Sequence, residues 1–338
     1  MDKIDITSLE IPQLQEILMS IGQKKFRAQQ IFEWVNKKNV NSFEQMTNLS
    51  LEFRKILNDK FILPQTKILK KLICDDGTIK FLLQLHDGNI IEFVLMKYSY
   101  GNIVCVSTQV GCRMNCQFCA STTHGLKRNL SAGEIASQVY LANNIARVSN
   151  IVLMGSGEPL DNYENVLKFI RIINSPFGIN ISQRHITLST CGLVEKIYKL
   201  ADENLQITLA ISLHAPNDSL RKKIMPIANK YSINDIIKTC DFYFKKTRHR
   251  ITFEYVLIKN FNDSPQNAIE LANLINGRFH VNLITLNESN NFQKSSAHYE
   301  FQKILRAHNI TVTFRKSLGS DINAACGQLK NSFLKGRL

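Results

Sequence analysis

The stretch Gly111-Cys112-Arg113-Met114-Asn115-Cys116-Gln117-Phe118-Cys119 follows a strand-like run, Ile103-Val104-Cys105-Val106-Ser107, and its reading decides how the rest of the chain is organised. Three cysteines at Cys-x3-Cys-x2-Cys lie close enough for one tight loop to bring three thiolates to a point. Such a set suits two chemistries: a closed zinc site completed by a fourth ligand, or an iron–sulfur cube with one iron left without a protein ligand. For zinc the nearby fourth ligands are His124 and Cys105, and neither continues a finger-like spacing. The ferredoxin spacing C-x2-C-x2-C differs as well. An iron left open would bind a small molecule.

Working outward, near-continuous apolar runs recur at residues 151–154, 186–189, 207–212, 251–257 and 281–286, each set off by helical periodicity. Strands of this kind joined by helices predict a parallel sheet covered on its outer face, and six such units predict an α/β fold with a partial (β/α)6 barrel over residues 99–316. Helix starts are marked by Ser131-Ala132-Gly133-Glu134, by Asp161 with Glu164, and by Asp263-Ser264-Pro265.

Upstream, residues 63–98 read as a β-hairpin extension: Ile79 to Leu85, the turn His86-Asp87-Gly88-Asn89, then Ile90 to Leu95. Alternation puts Glu92 on a face with Ile90 and Val94. From pattern alone it is an edge-strand charge turned to water, and the alternative is a buried acid held for chemistry. Residues 1–62 form a small helical domain: Leu9, Leu14, Ile17, Leu18 and Ile21, then Phe26, Ile31, Phe32, Trp34 and Val35, then Leu51, Phe53, Ile56, Leu57 and Phe61 make three apolar helical stretches. Lys24, Lys25, Arg27, Lys37 and Lys38 lie between these and could grip a phosphate backbone; a lid or a dimer contact would read the same way. Residues 317–338 form a C-terminal segment carrying Cys326.

The 338 residues, 44% of them hydrophobic, supply a sizeable core, and the formal charge of +14 implies a polyanionic partner, for which nucleic acid is the first candidate. The charge is grouped: Lys24-Lys25 with Arg27, Arg221-Lys222-Lys223, Lys245-Lys246 with Arg248 and Arg250, and Lys335-Gly336-Arg337. No apolar run reaches the length of a membrane span and the first residues lack a signal peptide's apolar core, so a cytoplasmic protein with reduced cysteines and no membrane partner is expected. In that setting a thiol cluster points to metal or redox chemistry rather than a disulfide framework. Cys74, Cys191 and Cys240 stand singly and read as structural.

A barrel of this class places its active site at the C-terminal ends of its strands. The unusual polar and glycine positions fall there: Gly155-Ser156-Gly157-Glu158-Pro159 after the second strand, Ser189-Thr190 at the third, Ser212-Leu213-His214 at the fourth and Asn287 at the sixth. Singly they read as a turn, a helix cap and a core histidine. Together, opposite the cysteine loop, they form a ring of donors and acceptors around a small polar ligand.

The cysteine spacing after the first strand, with Gly157-Glu158-Pro159 after the second, resembles the radical S-adenosylmethionine (SAM) enzymes. Val104 to Cys112, Ile211 to Asn217 and Gly319 to Leu329 narrow the resemblance to the RlmN/Cfr family of RNA methyltransferases. The resemblance implies that Cys112, Cys116 and Cys119 hold a 4Fe–4S cluster whose open iron binds SAM. It implies that Gly157, Glu158, Ser189, Ser212, Leu213, His214 and Asn287 contact SAM, two molecules being used per turnover. Cys326 matches the S-methylated cysteine, Cys105 its partner in a transient disulfide, and Glu92 the proton acceptor.

The implied reaction is methylation of C2 of adenosine in 23S ribosomal RNA and in transfer RNA by a monomer, with an electron donor such as flavodoxin or ferredoxin. Pro159 stands where Cfr-like C8 methylases resemble Gly-Glu-Ala, which favours C2. A zinc-stabilised RNA-binding protein without catalysis is the rival from another class. Ser156 replaces a Met common in relatives, and the stretch after Asn287 lacks their proline-rich loop.

Overall fold

A computed structural model describes residues 3–286 and 292–315. Asn287, Cys326 and the C-terminal segment lie outside the described residues.

The chain opens with β1 (Ile4–Asp5), then α1 (Ile11–Ser20), α2 (Phe26–Asn36) and α3 (Leu51–Lys60), and closes the unit with β2 (Phe61–Ile62), parallel to β1. One face of each helix is apolar, and Leu14, Leu18, Ile31, Val35, Phe53 and Leu57 meet in a core of their own. Ser50 starts α3 by accepting a bond from the Phe53 N–H at 3.2 Å.

Next come β3 (Lys67–Ile73), β4 (Ile79–Gln84), β5 (Ile90–Tyr98) and β6 (Gly101–Cys105), each antiparallel to the one before. A short antiparallel pair, β7 (Gln109–Gly111) and β8 (Leu126–Asn129), brackets the cysteine loop. The βα alternation then runs α4 (Ala132–Asn143), β9 (Val148–Leu153), α5 (Tyr163–Asn174), β10 (Ile186–Thr190), α6 (Val194–Leu200) and β11 (Thr208–Ser212). It continues through α7 (Asp218–Ile224), α8 (Ile233–Thr247), β12 (Ile251–Leu257), α9 (Pro265–Ile275), β13 (His280–Thr285), α10 (His298–Ala307) and β14 (Val312–Arg315).

All the long strands join one ten-stranded sheet in the order β14-β13-β12-β11-β10-β9-β6-β5-β4-β3. From β6 onward the pairing is parallel, so the expected six βα units are present and β14 adds a further parallel strand. Among the described residues the sheet is thus a partial barrel whose antiparallel end is the hairpin region. On the helix-covered face Phe93, Leu95, Val104, Ile151, Leu188, Leu209 and Phe253 form one continuous core. On the other face Val94, Met96, Cys105 and Val152 make a smaller apolar patch.

Three sequence readings are corrected. β5 lies between β4 and β6, so Glu92 is not an edge charge turned to water: it is 3% exposed. Alternation reports the face a residue takes, not which strands flank it. Asp161 does not cap a helix. It sits in a short 3-10 turn, Pro159–Asn162, ahead of α5, and its carboxylate reaches the cysteine loop. Arg221, counted in a basic surface group, is fully buried.

The helical unit is docked on the barrel at the start of α4. Ser131 and Glu134 form the expected capping box there. Ser8 Oγ accepts a bond from the Gly133 N–H at 2.9 Å, and the Tyr140 hydroxyl donates to Asn36 Oδ1 at 2.8 Å. The approach is so close that a Cβ on Gly133 would stand 1.8 Å from Thr7 Oγ1.

Candidate active site

A cavity of about 310 Å³ opens at the C-terminal ends of β9 to β14. Cys112, Cys116 and Cys119 line it on one side, and Gly157, Glu158, Ser189, Ser212 and His214 line the rest. The sequence-expected ring is therefore assembled, apart from Asn287, which lies outside the described residues, and Leu213. Leu213 does not line the cavity; its side chain is buried in the helix-side core.

Backbone groups hold much of the cysteine loop. The Cys112 N–H donates to Gly125 O at 3.1 Å, the Cys119 N–H to Cys116 O at 3.1 Å, and the Gln117 N–H to Ile224 O at 2.9 Å. Arg113 bonds the Asp161 carboxylate, which also accepts from Gln109 Nε2 at 2.9 Å. Burial pushes the Cys112 thiol up to about 12 and the Cys116 thiol higher still, and a bound metal cation would favour their thiolates. The candidate fourth zinc ligands do not line the cavity: His124 is exposed, and Cys105 lies outside the lining. Three thiols around an open cavity fit an iron–sulfur cube with one iron facing that space.

Gly157 has φ +108°, and a Cβ there would meet Gln109 Cβ at 2.6 Å. This close approach lets the Glu158 N–H donate to Gln109 Oε1 at 2.9 Å. The Glu158 carboxylate is held by the N–H groups of Leu160 (3.0 Å) and Cys191 (2.8 Å), while burial raises its pKa. Cys191, read as merely structural, thus shapes the site through its backbone. Ser189 and Ser212 hydroxyls lie 3.4 Å apart on adjacent strands.

His214 sits in the left-handed region (φ +58°), its Nδ1 accepts from the Val256 N–H at 3.1 Å, and its ring meets Phe118 of the cysteine loop edge-on at 5.0 Å. Burial lowers its pKa to about 3, so the ring is neutral with the proton on Nε2. Arg221 ties the strand ends together, donating to Cys191 O at 2.6 Å, Leu213 O at 3.2 Å and Ser212 O at 3.3 Å.

Glu92 and Cys105 stand away from the cavity lining but on the same sheet face as Met154, which lines it. Val94 is directly opposite Cys105 in register, so Glu92 lies two residues along β5 on that face. Its carboxylate pairs with buried Lys80 at 3.1 Å. Sequence reading passed over Glu254, the lone charge within the apolar strand β12; it is 3% exposed and lines the cavity. A charged residue inside a run buried on both faces was the available signal.

Residues 4–63 match the ribosomal RNA large subunit methyltransferase N-terminal domain, and residues 106–272 match the radical SAM superfamily. A relative from Clostridium perfringens, "Probable dual-specificity RNA methyltransferase RlmN", is 52% identical, with 98% of each chain covered. The chain belongs to the RlmN family. A second RlmN relative, from Clostridium novyi, is 50% identical over 98% of this chain and 99% of its own. The crystal structure of a radical SAM methyltransferase from Sphaerobacter thermophilus superposes with a TM-score of 0.92 at 44% identity, covering 96% of this chain and 98% of that one. RlmN enzymes are radical SAM methyltransferases working with a 4Fe–4S cluster and SAM, and the donor set and cavity described above fit both.

Proposed function

We propose that this protein methylates C2 of adenosine in 23S ribosomal RNA and in transfer RNA, with Cys112, Cys116 and Cys119 holding the 4Fe–4S cluster. The observation that supports this best is the convergence of three cysteines, Glu158, Ser189, Ser212 and His214 on one cavity, with Glu92 and Cys105 on the adjoining part of the same sheet face. A bound cluster would supply the electron for reductive cleavage of SAM. Gly157 and Glu158 shape the cavity wall beside the cysteine loop and would hold SAM there, and neutral His214 packs the cysteine loop onto β11.

Two thiols and a base complete the set. C2 of adenine is electrophilic, so a methyl group cannot be displaced onto it directly from SAM. Cys326, outside the described residues, would take the methyl first as an S-methyl group; a second SAM, cleaved reductively, would remove one hydrogen atom from it as 5′-deoxyadenosine, and the methylene radical left would add to C2 as a protein–RNA thioether. Once the adduct has returned the electron spent on that cleavage, Glu92 would accept the C2 proton, and the Cys105 thiolate would attack the thioether sulfur, the released carbon taking up a proton as the C2 methyl and leaving a Cys105–Cys326 disulfide. The basic helical unit grips RNA. The protein works as a cytoplasmic monomer fed by flavodoxin or ferredoxin; no described helix is long and apolar enough to cross a membrane.

The test is mass spectrometry of adenosines in RNA treated with reconstituted protein, SAM and a reductant. 2-Methyladenosine is expected, and Cys326→Ala should abolish it. 8-Methyladenosine would transfer the chain to the Cfr-like reading. Colourless protein after anaerobic purification, with zinc bound and no methylation, would leave only RNA binding.

A further inference from the structure

One acid in the cavity wall is only half bonded. Glu254 Oε1 accepts from Asn282 Nδ2 at 2.9 Å, whereas its buried Oε2 has no hydrogen-bond partner among the described residues. Asn282 is itself held, because the Thr313 hydroxyl donates to its Oδ1 while accepting from His280 Nε2 at 3.2 Å. This file of side chains crosses β12, β13 and β14 and fixes the carboxylate. An unpaired buried acceptor costs free energy, and a ligand that supplied a donor here would recover it.

Register places Glu254 next to Ser212 on β11, and Ser212 Oγ is 3.4 Å from Ser189 Oγ on β10. Hydroxyl, hydroxyl and carboxylate thus stand on three adjacent strands, facing one cavity. Nearer the strand ends the lining turns apolar, with Val256 opposite Ile284 and with Met225 and Leu286. Burial raises the Glu254 pKa, with Arg315 and Asn282 acting against the rise. The missing partner must therefore suit either protonation state. A hydroxyl does: it donates to a carboxylate and accepts from a carboxylic acid, as it does beside either serine. Neighbouring hydroxyls below an apolar slot match a ribose carrying a flat base.

We propose that Glu254 is a further binding residue of this site, pairing through Oε2 with a ribose hydroxyl of a nucleoside seated in the cavity. The inference rests on the SAM-dependent RNA methylation reading, in which both SAM and the target adenosine carry a ribose.

Equilibrium dialysis of the reconstituted full chain distinguishes the two sources. The ligands are SAM, its 2′-deoxy and 3′-deoxy analogues, and an RNA fragment bearing adenosine or 2′-deoxyadenosine at the target position. Glu254→Leu should weaken one ligand about ten-fold, and Glu254→Gln much less, because the amide keeps the Asn282 bond and a polar group at Oε2. Removing the responsible hydroxyl should cost the unsubstituted protein the same factor and cost Glu254→Leu nothing further. Weakening confined to SAM assigns the bond to the cofactor, and weakening confined to RNA assigns it to the target. Undiminished affinity of Glu254→Leu for both, with full iron content, overturns the proposal. So does equal binding of every deoxy ligand by the unsubstituted protein, an arm that needs no variant to fold. Failure of the unsubstituted protein to bind SAM at all would instead count against the reading on which the inference rests.

Discussion

Lys80 and Glu92 bury opposite charges on neighbouring strands, 3.1 Å apart, in a face otherwise built of Val94, Met96 and Val152. Each charge offsets the desolvation of the other, and removing one partner leaves a buried ion without its countercharge. Lys80→Met should cost about 3 kcal/mol in urea unfolding. The double variant Lys80→Met/Glu92→Leu should recover much of that loss; equal destabilisation of single and double variants would show that the pair is not coupled. His280 gives a second outcome. Burial, with Arg250 assisting, lowers its pKa to about 4, below the ordinary value near 6.5. Between those values the unfolded chain binds the additional proton, so stability falls as pH drops through 6.5 toward 4. His280→Gln should flatten this slope, keeping about 1–2 kcal/mol more of its neutral-pH stability at pH 5.

Among the elements, the dock between the helical unit and α4 is the most sharply specified. Gly133→Ala adds a Cβ that would meet both Thr7 Oγ1 and the Thr7 backbone, so the turn through Ile6–Ser8 must shift. Hydrogen exchange should accelerate at Thr7 and Ser8 while the sheet's protection is unchanged; unaltered exchange there would mean that the dock absorbs a methyl group. What the chain revealed in advance follows the same physics. Capping boxes such as Ser131 with Glu134 are local, so they were legible, as were the apolar strands and the hairpin turn. Asp161 has the spacing of a cap, but Gln109 and Arg113 claim its carboxylate through tertiary contacts that no spacing encodes. β14 escaped notice because four residues, of which Val312 alone is buried, carry almost no periodic signal. Leu213 lies between two cavity residues in sequence, yet its side chain joins the helix-side core just past the end of β11.

Over the whole molecule, the charge of +14 should make RNA binding strongly salt-dependent. Reversing Lys24, Lys25 and Lys37, all exposed, should lower both RNA affinity and the slope of log affinity against log salt, by about one for each phosphate no longer neutralised. An unchanged slope would remove these lysines from the RNA interface. Arg221 shows why such counts need a structure, since its cation braces strand ends inside the protein. The cysteine loop carries a last consequence. Its anchors include backbone groups and the Arg113–Asp161 pair, which need no metal, so removing iron should leave those bonds in place and hydrogen exchange at Cys112, Gln117 and Cys119 little changed. A loop already folded before its metal arrives would spare the incoming cluster the cost of ordering the chain around it.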